Sequence, residues 1–298
     1  MSIKAGLLDI YDKHYKSLMI ITFVLLFVAI GYLGYKYATT GEFVNKGISL
    51  RGGITFTAET NTADVDAITA FLTSEFPASD INVRALTNLG QVSNIIIEAT
   101  DVNEQQMIDA LHKYGMELKE GTYTAEFIGS SLGESFFRQT MTALIVAFIS
   151  MSIVVFITFR NAMPSLFVIL AAVSDVICTL AVISFMGVKL GTTGIAGFLM
   201  LIGYSVDTDI LLTTRVLRRK EGTIFQRTMD ALPTGMLMSL TSFGAVFVAY
   251  FMTESDAIKQ IMLILSVGLI FDILYTWIQN AGILRWYLEN KEKKHGHK

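Results

Sequence analysis

Four aspartates in this 298-residue chain stand where a carboxyl group is expensive. Asp175, Asp207, Asp209 and Asp272 each fall within an apolar stretch long enough to cross a bilayer. A carboxylate at the bilayer centre costs about 2.5–3.5 kcal/mol even on the lenient insertion scales. No lysine or arginine lies deep in any of these stretches. Such acids are expected to stay protonated much of the time, and to accept and release protons as a cavity opens and closes. Several of them on different helices, meeting at one level, would make a proton or ion pathway. The plainer use is as hydrogen-bonding glue between helices, with Tyr204, Ser205 or Thr208 as neighbours of Asp207 and Asp209.

Asp207 and Asp209 are separated by roughly 200° around a helix, so at most one of them faces a shared interior. Asp207, beside Tyr204 and Ser205, is expected to be that one, and Asp209 to face a partner. Paired intramembrane aspartates also suit an aspartyl protease, in which two apposed carboxyls share one proton. The Gly-x-Gly-Asp pattern of such enzymes is missing, because Ser205-Val206 precedes Asp207 and Ile270-Phe271 precedes Asp272. There is no P-loop and no serine–histidine arrangement, so no enzyme activity is expected. His14, His112, His295 and His297 are not paired with Cys or Glu at ligand spacing, and Cys178 is the single cysteine. Neither a disulfide, a metal site nor a cofactor is expected.

The elements that position these acids follow from composition. The chain is 52% hydrophobic and only 16% charged, whereas a soluble domain carries about a quarter charged residues. It reads as a polytopic membrane protein with one polar region. Residues 1–16 form a polar tail and 17–38 a first spanning helix, retained and not cleaved as a signal, since Tyr35, Lys36 and Tyr37 resemble an interfacial belt. Residues 39–138 form the polar domain. Five more spans fill 139–285, at about Thr140–Phe159, Ser165–Met186, Thr192–Val216, Pro233–Met252 and Gln260–Leu284, and 286–298 is a basic tail. With both termini on the cytoplasmic side, fourteen Lys/Arg lie there near span ends and only Lys189 and Lys259 lie in the opposite short loops. That bias fixes the orientation and puts 39–138 outside. Gly191, Gly194 and Gly197 allow close helix contact at one end of the fourth span.

Within the polar domain, Gly47–Glu59 alternates as a strand with a kink at Gly52-Gly53. Thr62–Phe76 has helical spacing after a cap at Asn61 or Thr62. Ile81–Leu86 and Val92–Ala99 form a hairpin about Asn88-Leu-Gly90, Asn103–Met116 is helical, and Thr122–Ile128 is a strand. The order β-α-β-β-α-β is ferredoxin-like. The domain is acidic, with fourteen Asp/Glu against six Lys/Arg in residues 40–138. Acidity of this kind usually marks a solvated face, and it argues against nucleic acid and against docking onto anionic lipid.

With these elements in order, the chain resembles the SecF branch of the SecD/SecF protein-export family, relatives of the RND transporters, over nearly its whole length. The motifs are Gly47-Ile-Ser-Leu-Arg-Gly-Gly53, Ile128-Gly-Ser-Ser-Leu-Gly133, Ser174-Asp175-Val and Ile202-Gly-Tyr-Ser-Val-Asp-Thr-Asp-Ile210. Their glycines are Gly52, Gly53, Gly129, Gly133 and Gly203. The form looks archaeal, a separate polypeptide that would pair with SecD in the cell membrane. The resemblance implies assistance to preprotein translocation through the Sec channel, with the external domain handling the emerging chain. In bacteria, proton flow through the membrane part drives its movement. Three departures bear on that last point. Bacterial members have Asn-Asp where Asp207-Thr208 stand, Ser49 replaces an acidic residue, and the fifth span lacks an arginine near its start. An RND-like exporter of small apolar molecules is the alternative, disfavoured by one external domain and six spans.

Overall fold

The computed structural model describes residues 3–60, 64–88, 91–116, 118, 121–219, 221–253 and 255–295. It divides into two compact units, Lys46–Thr142 with Lys189–Thr192, and the remainder of the chain.

The smaller unit has the βαββαβ order and a four-stranded antiparallel sheet arranged β2-β3-β1-β4, the ferredoxin-like topology. Its strands are β1 (Gly53–Glu59), β2 (Ile81–Asn88), β3 (Gln91–Ala99) and β4 (Tyr123–Ile128). Alternation sends Ile54, Phe56 and Ala58 of β1 and Ile95, Ile97 and Ala99 of β3 to one face. Helices α3 (Val65–Glu75) and α4 (Glu104–Tyr114) cover that face with Ile68, Leu72, Met107 and Leu111, and all ten of these residues are buried. Asp64 caps α3 through the Ala67 N–H; the expected cap at Asn61 or Thr62 lies outside the described residues, as do Leu89 and Gly90 of the expected hairpin turn. Asn103 and Gln106 close a reciprocal capping box on α4. Asn103→Ala is expected to cost about 1 kcal/mol, read as faster proteolytic nicking within residues 103–116 of the full chain.

One expected strand is not a strand throughout. Ile48–Arg51 is a single helical turn, α2, and β1 begins only at Gly53. Ile48 and Leu50 are both buried, which imitates strand alternation. The Gly47 N–H, however, donates to the Leu190 carbonyl, and Gly52, at φ +92°, turns the chain from α2 into β1. Three motif glycines meet here for a steric reason. A Cβ on Gly52 would lie 2.6 Å from the Ser130 Cα, one on Gly133 2.6 Å from the Gly52 nitrogen, and one on Gly53 2.5 Å from the Ala99 carbonyl oxygen. Gly129 and Gly203 have open space beside them.

The larger unit is helical. Among the described residues six helices are long and apolar enough to cross a membrane. The first is α1 (Ile3–Thr40), with a kink at His14, so the polar tail is helical as well. Next come α5 (Ser130–Phe159), whose first residues belong to the sheet unit, α6 (Ala162–Phe185), α7 (Thr192–Arg218) and α8 (Ile224–Met252). The sixth runs from α9 (Asp256–Leu274) through a π-helical turn (Tyr275–Asn280) into α10 (Ala281–His295). The fifth span was expected to open at Pro233, but α8 starts nine residues earlier, behind a Thr223/Gln226 capping box, and carries Pro233 in its interior. At the base of the unit Arg285 pairs with Asp12 and Glu289 and stacks on Tyr15, tying α10 to α1.

Candidate functional site

Helices α6, α7, α8 and the sixth span bring their polar residues to one place. Asp175 of α6, Asp209 of α7 and Asp272 of α9 are each completely buried. Close helix contact is made possible by small residues. Gly197 lies against Ile264, a Cβ on Gly268 would run into Leu201, and Gly235 faces the Trp277 ring.

The three carboxyls are held by hydroxyls and amides. Ser205 donates to Asp175. Asp272 accepts from Ser239 at 3.2 Å and Thr208 at 3.4 Å on one oxygen, and from Thr276 at 3.2 Å on the other. The Asn280 amide donates to Asp209 at 2.8 Å, and the Gln279 amide to Ser174, next to Asp175, at 3.3 Å. No lysine, arginine or histidine is among these partners. Asp272, Thr276, Gln279 and Asn280 stand at i, i+4, i+7 and i+8, one face of a helix, and the π turn begins directly after Leu274. Such turns occur often at functional sites.

Four buried oxygens of this cluster have no hydrogen-bond partner among the described residues: Asp175 Oδ1, Asp209 Oδ2, Gln279 Oε1 and Asn280 Oδ1. The two amide oxygens are acceptors, whereas each carboxyl accepts when ionised and donates through one oxygen when protonated, so the arrangement can accommodate a proton on either acid. Among the described residues no set of three or more His, Cys, Asp or Glu side chains is arranged to hold a metal ion.

Asp207 is placed differently. It is exposed and lines a cleft of about 220 Å³ with Tyr204, Met238, Thr241 and Leu269. Thr208 and Ser239 line the same cleft while donating to Asp272, so one layer of hydroxyls separates the cleft from a buried acid. The expectation that Asp207 faces inward and Asp209 outward is thus reversed. The cause is helical phase: Leu201, Ser205, Asp209, Leu212 and Val216 are all buried along one side of α7, and Asp207 and Tyr204 fall on the other. That phase was readable from the apolar members, but adjacency to Tyr204 and Ser205 pointed the other way. Of the supporting residues, Ser205 sits in the cluster and Tyr204 in the cleft.

Sequence reasoning missed Ser239, Thr276, Gln279 and Asn280. The last three were signalled by their spacing from Asp272. Asn280→Ala strips Asp209 of its amide and leaves a buried carboxyl short of a donor. It is expected to cost about 2 kcal/mol, seen as a lower unfolding temperature in detergent, and most of the loss should disappear in the Asp209→Ala, Asn280→Ala double variant.

Comparison with known proteins places this architecture. Residues 107–290 match the family described as protein export membrane protein SecD/SecF, C-terminal. The protein-export membrane protein SecF of Pyrococcus furiosus is 36% identical over 98% of this chain and 97% of its own length. SecF of Methanothermobacter thermautotrophicus is 34% identical over 95% and 96%. Among solved structures, SecDF, a translocon-associated membrane protein from Thermus thermophilus, superposes over 93% of this chain with a TM-score of 0.73 at 19% identity. The chain spans 38% of that protein. SecDF in a super-membrane-facing form matches with a TM-score of 0.58.

Proposed function

The chain belongs to the SecD/SecF family of protein-export membrane proteins, and from that premise we propose that it is an accessory subunit of the Sec translocation machinery. It works without catalysing a covalent reaction, in complex with SecD and the Sec channel, on unfolded preproteins leaving the cytoplasm. Both termini are cytoplasmic and the ferredoxin-like domain lies outside, a reading supported by fourteen basic residues near the cytoplasmic span ends against two in the opposite short loops.

The membrane part couples to the proton gradient. One observation carries this reading: three buried carboxyls on three helices, held by hydroxyls and amides, with Thr208 and Ser239 linking Asp272 to the cleft at Asp207. A proton arriving at Asp207 has a hydroxyl relay to Asp272, and beyond it the orphan oxygens of Asp209 and Asp175. Protonation changes how many donors each carboxyl needs, and so which helix contacts are satisfied.

The assembly is tested by gentle solubilisation of native membranes, purification of a tagged chain, and identification of what accompanies it. A second, larger six-span protein together with Sec channel subunits is expected. Recovery of this chain alone, as homo-oligomers, would replace the export reading with that of an independent RND-like transporter.

A further inference from the structure

Strand β4 closes the sheet on one side and, among the described residues, has no strand beyond it. Its hydrogen-bonding phase follows from the Glu59 N–H donating to the Thr122 carbonyl at 2.9 Å. In an antiparallel ladder such pairs alternate. Thr124, Glu126 and Ile128 therefore exchange bonds with Thr57, Thr55 and Gly53, in the observed register. The N–H and C=O groups of Tyr123, Ala125 and Phe127 point away from the sheet.

Edge strands usually carry a device against further pairing, such as a proline, a lysine, a bulge or a covering element. Tyr-Thr-Ala-Glu-Phe-Ile has no proline, no lysine and an unbroken register. Phe127 is 67% exposed, while Tyr123, on the same face, stacks on Phe56. An apolar row thus runs off the covered core to an open end. Thr124 and Glu126 are exposed on the opposite face, and Glu126 has no ion-pair partner among the described residues. Among the described residues the unit's cations are already engaged, with Arg51, Arg84, Lys113, Arg138 and Lys189 each paired to a carboxylate and Lys46 over the Phe137 ring.

We propose that the free edge of β4 is a docking site for an extended polypeptide, which adds to the sheet as a fifth strand and is preferred when apolar and basic residues alternate along it. The proposal rests on the export reading for the source of such a polypeptide. Main-chain bonds to Tyr123, Ala125 and Phe127 supply affinity without regard to sequence. Apolar side chains of the incoming strand lie beside Phe127, and basic ones beside Glu126 in an acidic field.

The test uses the full-length chain in detergent and amide hydrogen exchange across residues 122–128. An alternating lysine–valine octapeptide is the probe, and its glutamate–valine counterpart is the charge control. In the free chain the Thr124 and Glu126 amides should be protected and those of Ala125 and Phe127 should exchange freely. The lysine peptide is expected to slow Ala125 and Phe127 at least tenfold, and the glutamate peptide much less. Ala125→Pro deletes an outward N–H that the β1 pairing does not use, and should abolish binding with Thr124 and Glu126 still protected. Phe127→Lys, which leaves every main-chain donor in place, should reverse the preference between the two peptides. Protection appearing instead on β2, equal binding to both variants, or concentration-dependent protection without peptide, which would mean pairing with a second copy, would each overturn it. Because binding is read on the isolated chain, its failure is separate from a failure to recover channel subunits.

Discussion

Replacing Asp272 by asparagine should remove the gradient-dependent part of export by more than tenfold while leaving the protein folded. The side chain keeps its size. Its oxygen still accepts from Thr276, and the new amide meets Ser239 and Thr208, whose hydroxyls can turn from donor to acceptor. Stability should change by no more than about 1 kcal/mol, since a set of hydrogen bonds is exchanged and none is lost. What disappears is the titrating proton. Asp272→Leu is a different experiment, because it leaves the buried hydroxyls of Ser239 and Thr276 without their acceptor, at about 1–3 kcal/mol for each left unsatisfied, while Thr208 keeps the Tyr204 carbonyl. The measurement is transport of a secretory polypeptide into inverted vesicles with and without a proton gradient. Asp207→Asn should be the milder change, since Asp207 is exposed at the cleft and is not one of the buried acids that hydroxyls and amides hold. Full gradient dependence in the Asp272→Asn vesicles would dismiss the relay.

The second large effect is expected in the sheet unit. Gly52→Ala places a side chain at φ +92°, a conformation costing about 1–3 kcal/mol for other residues, and drives a Cβ into the Ser130 backbone. Overpacking of this kind adds about 1–3 kcal/mol. Gly133→Ala has ordinary helical backbone but meets the Gly52 nitrogen from the other side. Neither obstacle is a flexible side chain that could swing away. Both variants should open the unit to protease within residues 46–142, and Gly129→Ala, with open space beside it, should not. If Gly133→Ala were as resistant as the parent, close approach of the two motifs would not be needed.

The periodicities carried most of the architecture. Runs of about twenty apolar residues leave no choice but membrane helices, because a bilayer offers backbone groups no other partner. Strand and helix spacing in residues 53–128 likewise gave the ferredoxin-like order, since one face of each element must be buried. Where a pattern was ambiguous the sequence misled. Ile48 and Leu50 suit a strand or a single helical turn equally well, and the bond from Gly47 to Leu190, 143 residues away, decided between them. The start of α8 was hidden because nine residues before Pro233 are too polar to suggest a span.

The acids themselves were legible, because carboxyls in apolar stretches are rare and costly. Their roles were not. Which of Asp207 and Asp209 is buried depends on the rotation of α7, and that is fixed by where Gly197 and Leu201 meet α9. Apart from Thr276, the groups that hold each acid stand 30 to 71 positions from it, as Ser205 does from Asp175 and Asn280 from Asp209. Composition could say that buried charge needs partners. Only the packing of four helices could say which ones, because hydrogen bonds form over about 3 Å and nothing along the chain encodes distances across it.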